Sequence, residues 1–425
     1  MKRALFLTYY VPPRPAIASV RAQHIISSLR ERGWEVTPVV PDLGEVAYQP
    51  PVRTTGVVDL KTPVRRMLGV RAGQTTHERF NVEHGSRIET QTWKQRALLA
   101  GHQALAFADG RLGWLGPGVR AVKEILRAER VDAVISTSPP VATHLVAARS
   151  HGGVPWIADL RDPWLRNDRL AGGPVLHAID MLLESYAFET ASTLVTVSEP
   201  LAQRLRMRYP KQRVYAIPNA FSRSEWESVP FTTPPAATFL HAGQLYRGIR
   251  NPQPFFEAIG QLAGEGAFAP GEVRVDLYGE QEPWLQAQIA ACRADGIVHL
   301  HGRLAREEIL VRERAASRLL IFTADGVDEQ GTFTGKLFEY LGARRRIIAI
   351  GGPAETIAMD EVLTRSGAGI RQRDVAGLRL EIMRALEEWR RGDTAQIAED
   401  DVAPYEVAHF GAAFADVLET ITCNV

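Results

Sequence analysis

Gly331-Thr-Phe-Thr-Gly-Lys-Leu-Phe-Glu-Tyr-Leu-Gly-Ala-Arg-Arg-Arg-Ile-Ile-Ala-Ile-Gly-Gly352 is the stretch on which the reading of this chain turns. It runs from a loop into a helix start and then into a short apolar run bounded by paired glycines. That is the pattern of a helix feeding a buried strand. Lys336 falls in the first helical turn and Glu339 lies three residues on, so both project from one face. Backbone N–H groups at a helix start have no partner within the helix and can bind an anion. Lys336 adds a point charge, and Glu339 can accept hydrogen bonds from a pair of hydroxyls. Phosphate donors beside a diol acceptor suit a nucleotide diphosphate and its ribose. A solvated Lys–Glu pair on an amphipathic helix is the competing reading, and the flanking pattern favours the first.

Working outward, short apolar runs alternate with helical patterns along the whole chain. The first half predicts strands at residues 4–8, 35–40, 57–60, 131–136, 156–159, 194–197 and 214–217, with helices at 19–32 and 140–150 among them. This alternation predicts βαβ units, a parallel sheet, and a site built from loops at the strand C-termini. Residues 221–237 are polar, carry three prolines and lack a period, and read as a linker. The alternation then restarts. Strands are expected at 238–241, 273–278, 298–300, 319–322 and 347–350, and helices at 254–262, 284–294, 306–314 and 336–341. Residues 378–391 and 407–421 read as closing helices.

Composition bounds the rest. A chain of 425 residues is long for one domain. Its net charge of +1 gives no reason to expect a nucleic-acid partner. The two cysteines, Cys292 and Cys423, are far apart and lack metal-site spacing. No run of about 18 apolar residues is present to span a membrane, and the apolar start breaks at Pro12-Pro13. A cytoplasmic protein is therefore the expectation.

Six blocks, in order, resemble one family. They are Tyr10-Val-Pro-Pro-Arg-Pro-Ala-Ile-Ala-Ser-Val-Arg-Ala-Gln23, Gly153-Val-Pro-Trp-Ile-Ala-Asp-Leu-Arg-Asp-Pro-Trp164, and Val195-Thr-Val-Ser-Glu-Pro-Leu201 followed by Tyr215-Ala-Ile-Pro-Asn-Ala-Phe221. His241-Ala-Gly-Gln-Leu-Tyr-Arg-Gly248, His299-Leu-His-Gly-Arg-Leu304 and the opening stretch complete the series. Together they resemble retaining glycosyltransferases of group 4. The resemblance implies the α/β fold called GT-B, with two Rossmann-like parallel-sheet domains facing a central cleft. On that basis residues 1–220 form an acceptor domain with a helical excursion at 61–120. Residues 221–237 link it to a donor-binding domain at 238–400, and 401–425 form a terminal helix that packs back on the first domain.

The resemblance also distributes roles. Arg247 stands where the family binds the donor diphosphate, with Lys336, Thr334 and Gly335 beside it; Arg250 is a weaker second choice. Gln244 replaces a family arginine, and Lys336 is the expected source of the missing charge. Glu339 matches the glutamate that holds the ribose. The partner glutamate, which faces the transferred sugar, would fall at Gly331, so Thr332 and Phe333 become the sugar-facing candidates. Glu329 or Asp328 would substitute if the loop is remodelled. Asp325 and Asp328 look superficially like a metal pair, but the family works without a metal, and none is expected. His301, Gly302 and Arg303 form the base-contacting turn. Ser19 and Arg21 belong to the N-terminal loop near the phosphate, with Ser19 as a helix cap.

In the first domain, Asp159-Leu-Arg-Asp162 ends a buried strand, where such sheets place function. Two carboxylates and a guanidinium there need a task or a partner. Asp162 and Asp159 are candidates to orient or deprotonate an acceptor hydroxyl. An Asp–Arg pair bracing the loop competes equally, because Arg161 stands near the family's histidine and cannot act as a base. His144 is a third catalytic candidate, with a structural role in its helix as the alternative. Ser138 is placed to cap that same helix.

The resemblance implies transfer of a sugar from a nucleotide diphosphate sugar to a glycan, lipid-linked or other cell-envelope hydroxyl, with no cofactor. Arg65, Arg66, Arg71 and Lys94, interleaved with Met67, Leu68, Val70 and Trp93, add the expectation of peripheral contact with the inner membrane face. A nucleotide-sugar 2-epimerase of the same fold and a non-catalytic nucleotide-sugar-binding subunit are the alternative readings.

Overall fold

The computed structural model describes residues 1–14, 17–44, 47–48, 51–58, 111–164, 173–324, 330–393 and 396–423. The basic-apolar segment, Asp325, Asp328 and Glu329 lie outside the described residues. The chain divides into two compact units.

The first unit comprises Met1–Val197, Leu201–Ile217 and Gly411–Val425. Its seven parallel strands are β1 (Lys2–Leu7), β2 (Trp34–Pro41), β3 (Arg53–Thr55), β4 (Ala133–Ser138), β5 (Trp156–Leu160), β6 (Thr193–Thr196) and β7 (Val214–Ala216). They lie in the order β3-β2-β1-β4-β5-β6-β7. Among the described residues its helices are, in chain order, α1 (Ile17–Glu31), α2 (Leu115–Ala128), α3 (Ala142–Ser150), α4 (Gly173–Thr190) and α5 (Glu199–Arg208). Parallel strands flanked by helices are buried on both faces, and all six residues of β4 are buried. The order reverses between β1 and β4, so the loops leaving these strands border the site-forming crevice of such sheets.

The second unit comprises Ser198–Pro200 and Pro218–Phe410. Its strands are β8 (Ala237–Ala242), β9 (Val273–Tyr278), β10 (Val298–His301), β11 (Arg318–Thr323), β12 (Ile347–Gly351) and β13 (Gly369–Gln372). They are parallel in the order β10-β9-β8-β11-β12-β13, reversing between β8 and β11. Helices α6 (Gln253–Gly264), α7 (Pro283–Ala291), α8 (Arg306–Ala315), α9 (Gly335–Ala343), α10 (Ala358–Arg365), α11 (Val375–Arg390) and the short α12 (Glu399–Val402) complete it. The last helix, α13 (Val407–Thr422), joins the first unit from Gly411 onward, where Gly411 lies against Ser28.

Three sequence expectations change. The third strand is Arg53–Thr55; of the expected 57–60, residues 57–58 are not in a strand and residues 59–60 lie outside the described residues. Thr55 pairs with Pro41 and its hydroxyl accepts from Trp114 Nε1 at 2.6 Å, while Val58 N–H leaves the sheet for the Gly113 carbonyl. Strand β13 was not expected, because an edge strand of Gly-Ile-Arg-Gln has no apolar run. Residues 221–237 are not a free linker. Phe221, Trp226 and Val229 belong to the core of the second unit, and Arg314 donates to the carbonyls of Trp226 and Val229.

Two helical glycines separate packing from propensity. A Cβ on Gly260 in α6 would lie 1.8 Å from the Cys292 carbonyl oxygen, whereas one on Gly264 at the end of the same helix meets nothing within 4 Å. Gly260→Ala should destabilise by about 1–3 kcal/mol through overpacking. Gly264→Ala should stabilise by about 0.5 kcal/mol through helix propensity. Urea unfolding of both variants checks the pair, and equal shifts would contradict this packing.

Candidate functional site

At the switch point of the second sheet, β8 ends in His241-Ala242 and the chain turns at Gly243. Gly243 has φ +139°, and a Cβ there would sit 2.3 Å from Lys336 Nζ. Only glycine leaves room for this close approach of the ammonium to the backbone. Lys336 belongs to the first turn of α9, whose N-cap is Thr334 with extended backbone. Burial lowers its pKa, and the charges of Glu339 and Glu313 oppose that shift. His241 is also enclosed, with Nδ1 2.8 Å from the Leu320 carbonyl. Its Nε2 has no hydrogen-bond partner. Burial, followed by the Lys336 charge, pushes the imidazole down to about 3, so it is neutral at ordinary pH.

Glu339 sits one turn along α9. Arg306 Nη1 donates to its Oε2 at 2.5 Å and, through Nη2, to Glu225 at 2.8 Å. Burial pushes the Glu339 carboxyl upward, but a hydrogen bond from Glu313 and the charges of Arg306 and Lys336 outweigh it and hold the pKa down. Tyr340, on the inner side of the helix, accepts from the Ala242 N–H at 3.1 Å. This bond ties α9 to the end of β8 and fixes Lys336 over the turn.

The other predicted donor-site residues surround this centre unevenly. Arg247 is exposed, with no hydrogen bond or ion pair among the described residues. Arg250 is more enclosed, 3.5 Å from the Gln244 carbonyl, and its charge acts on both Lys336 and His241. Gln244 Nε2 donates to Glu280 at 2.5 Å, and Glu280 also pairs with Arg303. His301 Nε2 lies 2.6 Å from Asp276, and its ring stacks on Tyr278 at 4.5 Å. A Cβ on Gly302 would meet nothing within 4 Å, so the turn backbone is open. The Gly331 carbonyl accepts from Ser198 Oγ at 2.6 Å. Phe333 packs edge-on against Phe338, while Thr332 and Gly335 continue the loop into the helix.

In the first unit the structure separates residues that the sequence grouped. Asp159 is fully buried and accepts from Arg21 Nε at 3.1 and 3.0 Å, from Arg21 Nη2 at 2.6 Å and from Thr137 Oγ1 at 2.7 Å. The pair locks α1 to the end of β5, which engages Arg21 internally instead of presenting it to a phosphate. Ser19 is not a cap, because α1 starts at Ile17; its hydroxyl donates to the Arg14 carbonyl at 2.8 Å. Ser138 does not cap α3 either: the cap is Val141, with no side-chain bond. His144 is enclosed by Trp164 and Phe188, with Nδ1 2.8 Å from Ser136 Oγ. Ser136 also accepts from Trp156 Nε1 at 2.8 Å. Burial lowers the imidazole to about 3. These contacts make His144 part of the core packing. Asp162 is partly exposed after β5, beside Arg161, whose pKa is lowered by burial.

The sequence of residues 18–220 matches the family described as a glycosyl transferase 4-like domain. That segment is similar to this family, and the chain as a whole has the GT-B fold. No curated protein matches it in sequence. Among solved structures, sucrose-phosphate synthase from Thermosynechococcus elongatus superposes with a TM-score of 0.63 over 100% of both chains, at 11% identity. The α,α-trehalose 6-phosphate synthase of Burkholderia multivorans gives 0.62 over 100% of both chains, at 11% identity. The Anabaena protein HepE, in complex with UDP-glucose, gives 0.59 over 99% of this chain and 100% of its own, at 14% identity. At these identities the likeness is one of fold. No helix among the described residues is long and apolar enough to cross a membrane.

The sequence did not point to Arg306, Glu313 or Tyr340. The Arg-Glu-Glu start of α8 carries no local signal of such a role, and only the packing of α8 on α9 brings Arg306 and Glu313 to Glu339.

Two predictions follow from the buried charges. Arg21→Ala leaves the Asp159 carboxylate unpaired in the core and should cost about 3–5 kcal/mol in urea unfolding. His144 and His241 stay neutral in the folded state down to about pH 3, while the unfolded chain takes up their protons near 6.5. Their contribution is complete above about pH 6.5 and lost on acidification, by up to about 1.4 kcal/mol per pH unit per histidine. His241→Asn should show a smaller loss of stability between pH 7 and 5 than the unsubstituted protein.

Proposed function

We propose that this protein transfers a sugar from a nucleotide diphosphate sugar to an acceptor hydroxyl, with retention of anomeric configuration. The observation that carries the reading is the Lys336 ammonium held against the Gly243 turn, with Glu339 one turn along the same helix. The turn and the free N–H groups at the start of α9 suit a diphosphate, and Glu339 suits the ribose. Negative charge grows on the diphosphate as the glycosidic bond breaks, and a fixed ammonium there stabilises it. Arg250 and Arg247 are the further cations for this task, Arg250 from the more enclosed position. The base rests on the His301–Gly302–Arg303 turn, and the sugar lies toward Thr332 and Phe333.

The acceptor falls to the first unit. Asp162 is the carboxylate proposed to orient the acceptor hydroxyl, because Asp159 is fully buried and engaged by Arg21 and Thr137. A glycan, lipid-linked or other cell-envelope acceptor fits this proposal, with the cytoplasm and the inner membrane face as its place. No metal is required in this scheme. Among the described residues, no group of three His, Cys, Asp or Glu side chains forms a candidate metal site.

The test is calorimetric titration with UDP, GDP and dTDP and their glucose conjugates. At least one should bind, and Glu339→Ala and Lys336→Met should each weaken it by about 1–3 kcal/mol. Binding by none, or unchanged affinity in folded Glu339→Ala, would sink the assignment. Incubating the bound donor without acceptor gives a second readout, where a new nucleotide sugar would instead mark an epimerase.

A further inference from the structure

Glu313 and Glu339 meet side chain to side chain although both are acceptors when ionised. Glu313 projects from α8 and is fully buried. Neither of its carboxyl oxygens has a donor to accept from. Two ionised carboxylates placed together out of water repel, and one proton held between them turns repulsion into a hydrogen bond. Lys336, Glu339 and Tyr340 face Glu313 from α9, Arg306 from its own helix, and Glu225 acts through Arg306. Arg306 lies 2.5 Å from Glu339, which marks Glu339 as the ionised partner and Glu313 as the acid. Burial, followed by the charge of Glu339, raises the Glu313 carboxyl well above its ordinary range, against the smaller pull of Lys336 and Arg306.

We propose that Glu313 is a positioning residue of the nucleotide site, donating its carboxylic proton to Glu339 and fixing that carboxylate in the orientation that receives a ribose diol. A carboxylate offers about four acceptor positions. Arg306 takes one and Glu313 takes another, which leaves two for the two hydroxyls of a ribose. The proton also removes one negative charge from the neighbourhood that a diphosphate must enter. This proposal rests on the nucleotide reading of the site given above.

The experiment compares the unsubstituted protein with Glu313→Gln, which keeps a donor, and Glu313→Leu, which removes it. The probes are UDP, 2′-deoxy-UDP, GDP and 2′-deoxy-GDP, titrated calorimetrically. The unsubstituted protein should prefer a ribonucleotide over its 2′-deoxy form by about tenfold, the loss of one bond to a charged group. Glu313→Gln should retain that preference, and Glu313→Leu should reduce it to within about twofold. Equal preference in the leucine variant and the unsubstituted protein overturns the proposal.

A ligand-free arm judges the shared proton and stands even if the leucine variant fails to fold. A raised folded-state pKa stabilises fully below the unfolded value, and that stability is lost as pH rises through the folded value. The unsubstituted protein should therefore lose stability relative to Glu313→Gln between pH 5 and 9. A difference that does not change with pH overturns the proposal. Failure of the unsubstituted protein to bind UDP, GDP or dTDP overturns the nucleotide reading itself, and the positioning role with it; binding of dTDP alone overturns the positioning role.

Discussion

A partly buried positive charge at the end of β8 organises the second unit. Lys336 fills the space that a side chain on Gly243 would need, so the turn and the lysine define each other. Burying an ammonium is unfavourable unless opposite charge stands near. Glu339 supplies it from the same helix, and Arg306 and Glu225 then extend the alternation of sign outward. Tyr340 secures the geometry by accepting from the Ala242 N–H, which ties α9 to the strand whose turn the lysine covers. An incoming dianion would return to Lys336 the stabilisation that burial removed.

The first unit shows what a completed charge cluster looks like. Asp159 receives Arg21 through two nitrogens and Thr137 through a hydroxyl, all within the core. Such a pair braces α1 against β5. In the second unit, His241 Nε2 has no hydrogen-bond partner, neither oxygen of Glu313 has a donor to accept from, and the turn at Gly243 is lined by a cation. Unsatisfied buried polar groups are unfavourable, and they persist where a ligand or a shared proton completes them. This contrast, more than the residue types, separates brace from site.

Apolar runs exposed most of both sheets to a reading from sequence, because strands buried on both faces must be continuous in Val, Ile, Leu and Ala. The run ending at Ile350 is of this kind. Edge strands escape such a reading. Arg53–Thr55 and Gly369–Gln372 face solvent enough to be polar, and their place is set by backbone pairing alone. Local spacing placed Lys336 and Glu339 on one helix, since that relation is intrinsic to three residues of α-helix. It did not reveal Arg306 or Glu313, which reach Glu339 only through the packing of α8 on α9. It pointed to the neighbouring Arg161 for an Asp–Arg brace, whereas Asp159 is held by Arg21. Arg21 is distant in sequence and enters through the fold.

Gly331 carries the same logic to the other end of the loop. A side-chain carboxylate there would hold sugar hydroxyls directly, and glycine has none. Its carbonyl is instead engaged by Ser198 Oγ, so the backbone at this point is anchored rather than free to reach a ligand. Under the proposed function, contact with a sugar would fall to Thr332 and Phe333, and Phe333 is itself held edge-on by Phe338. Hydrogen bonds to charged groups reject a missing hydroxyl by far more than neutral or apolar contacts do. On that proposal, selectivity is expected to reside in the nucleotide, with the sugar chosen mainly by what fits the loop.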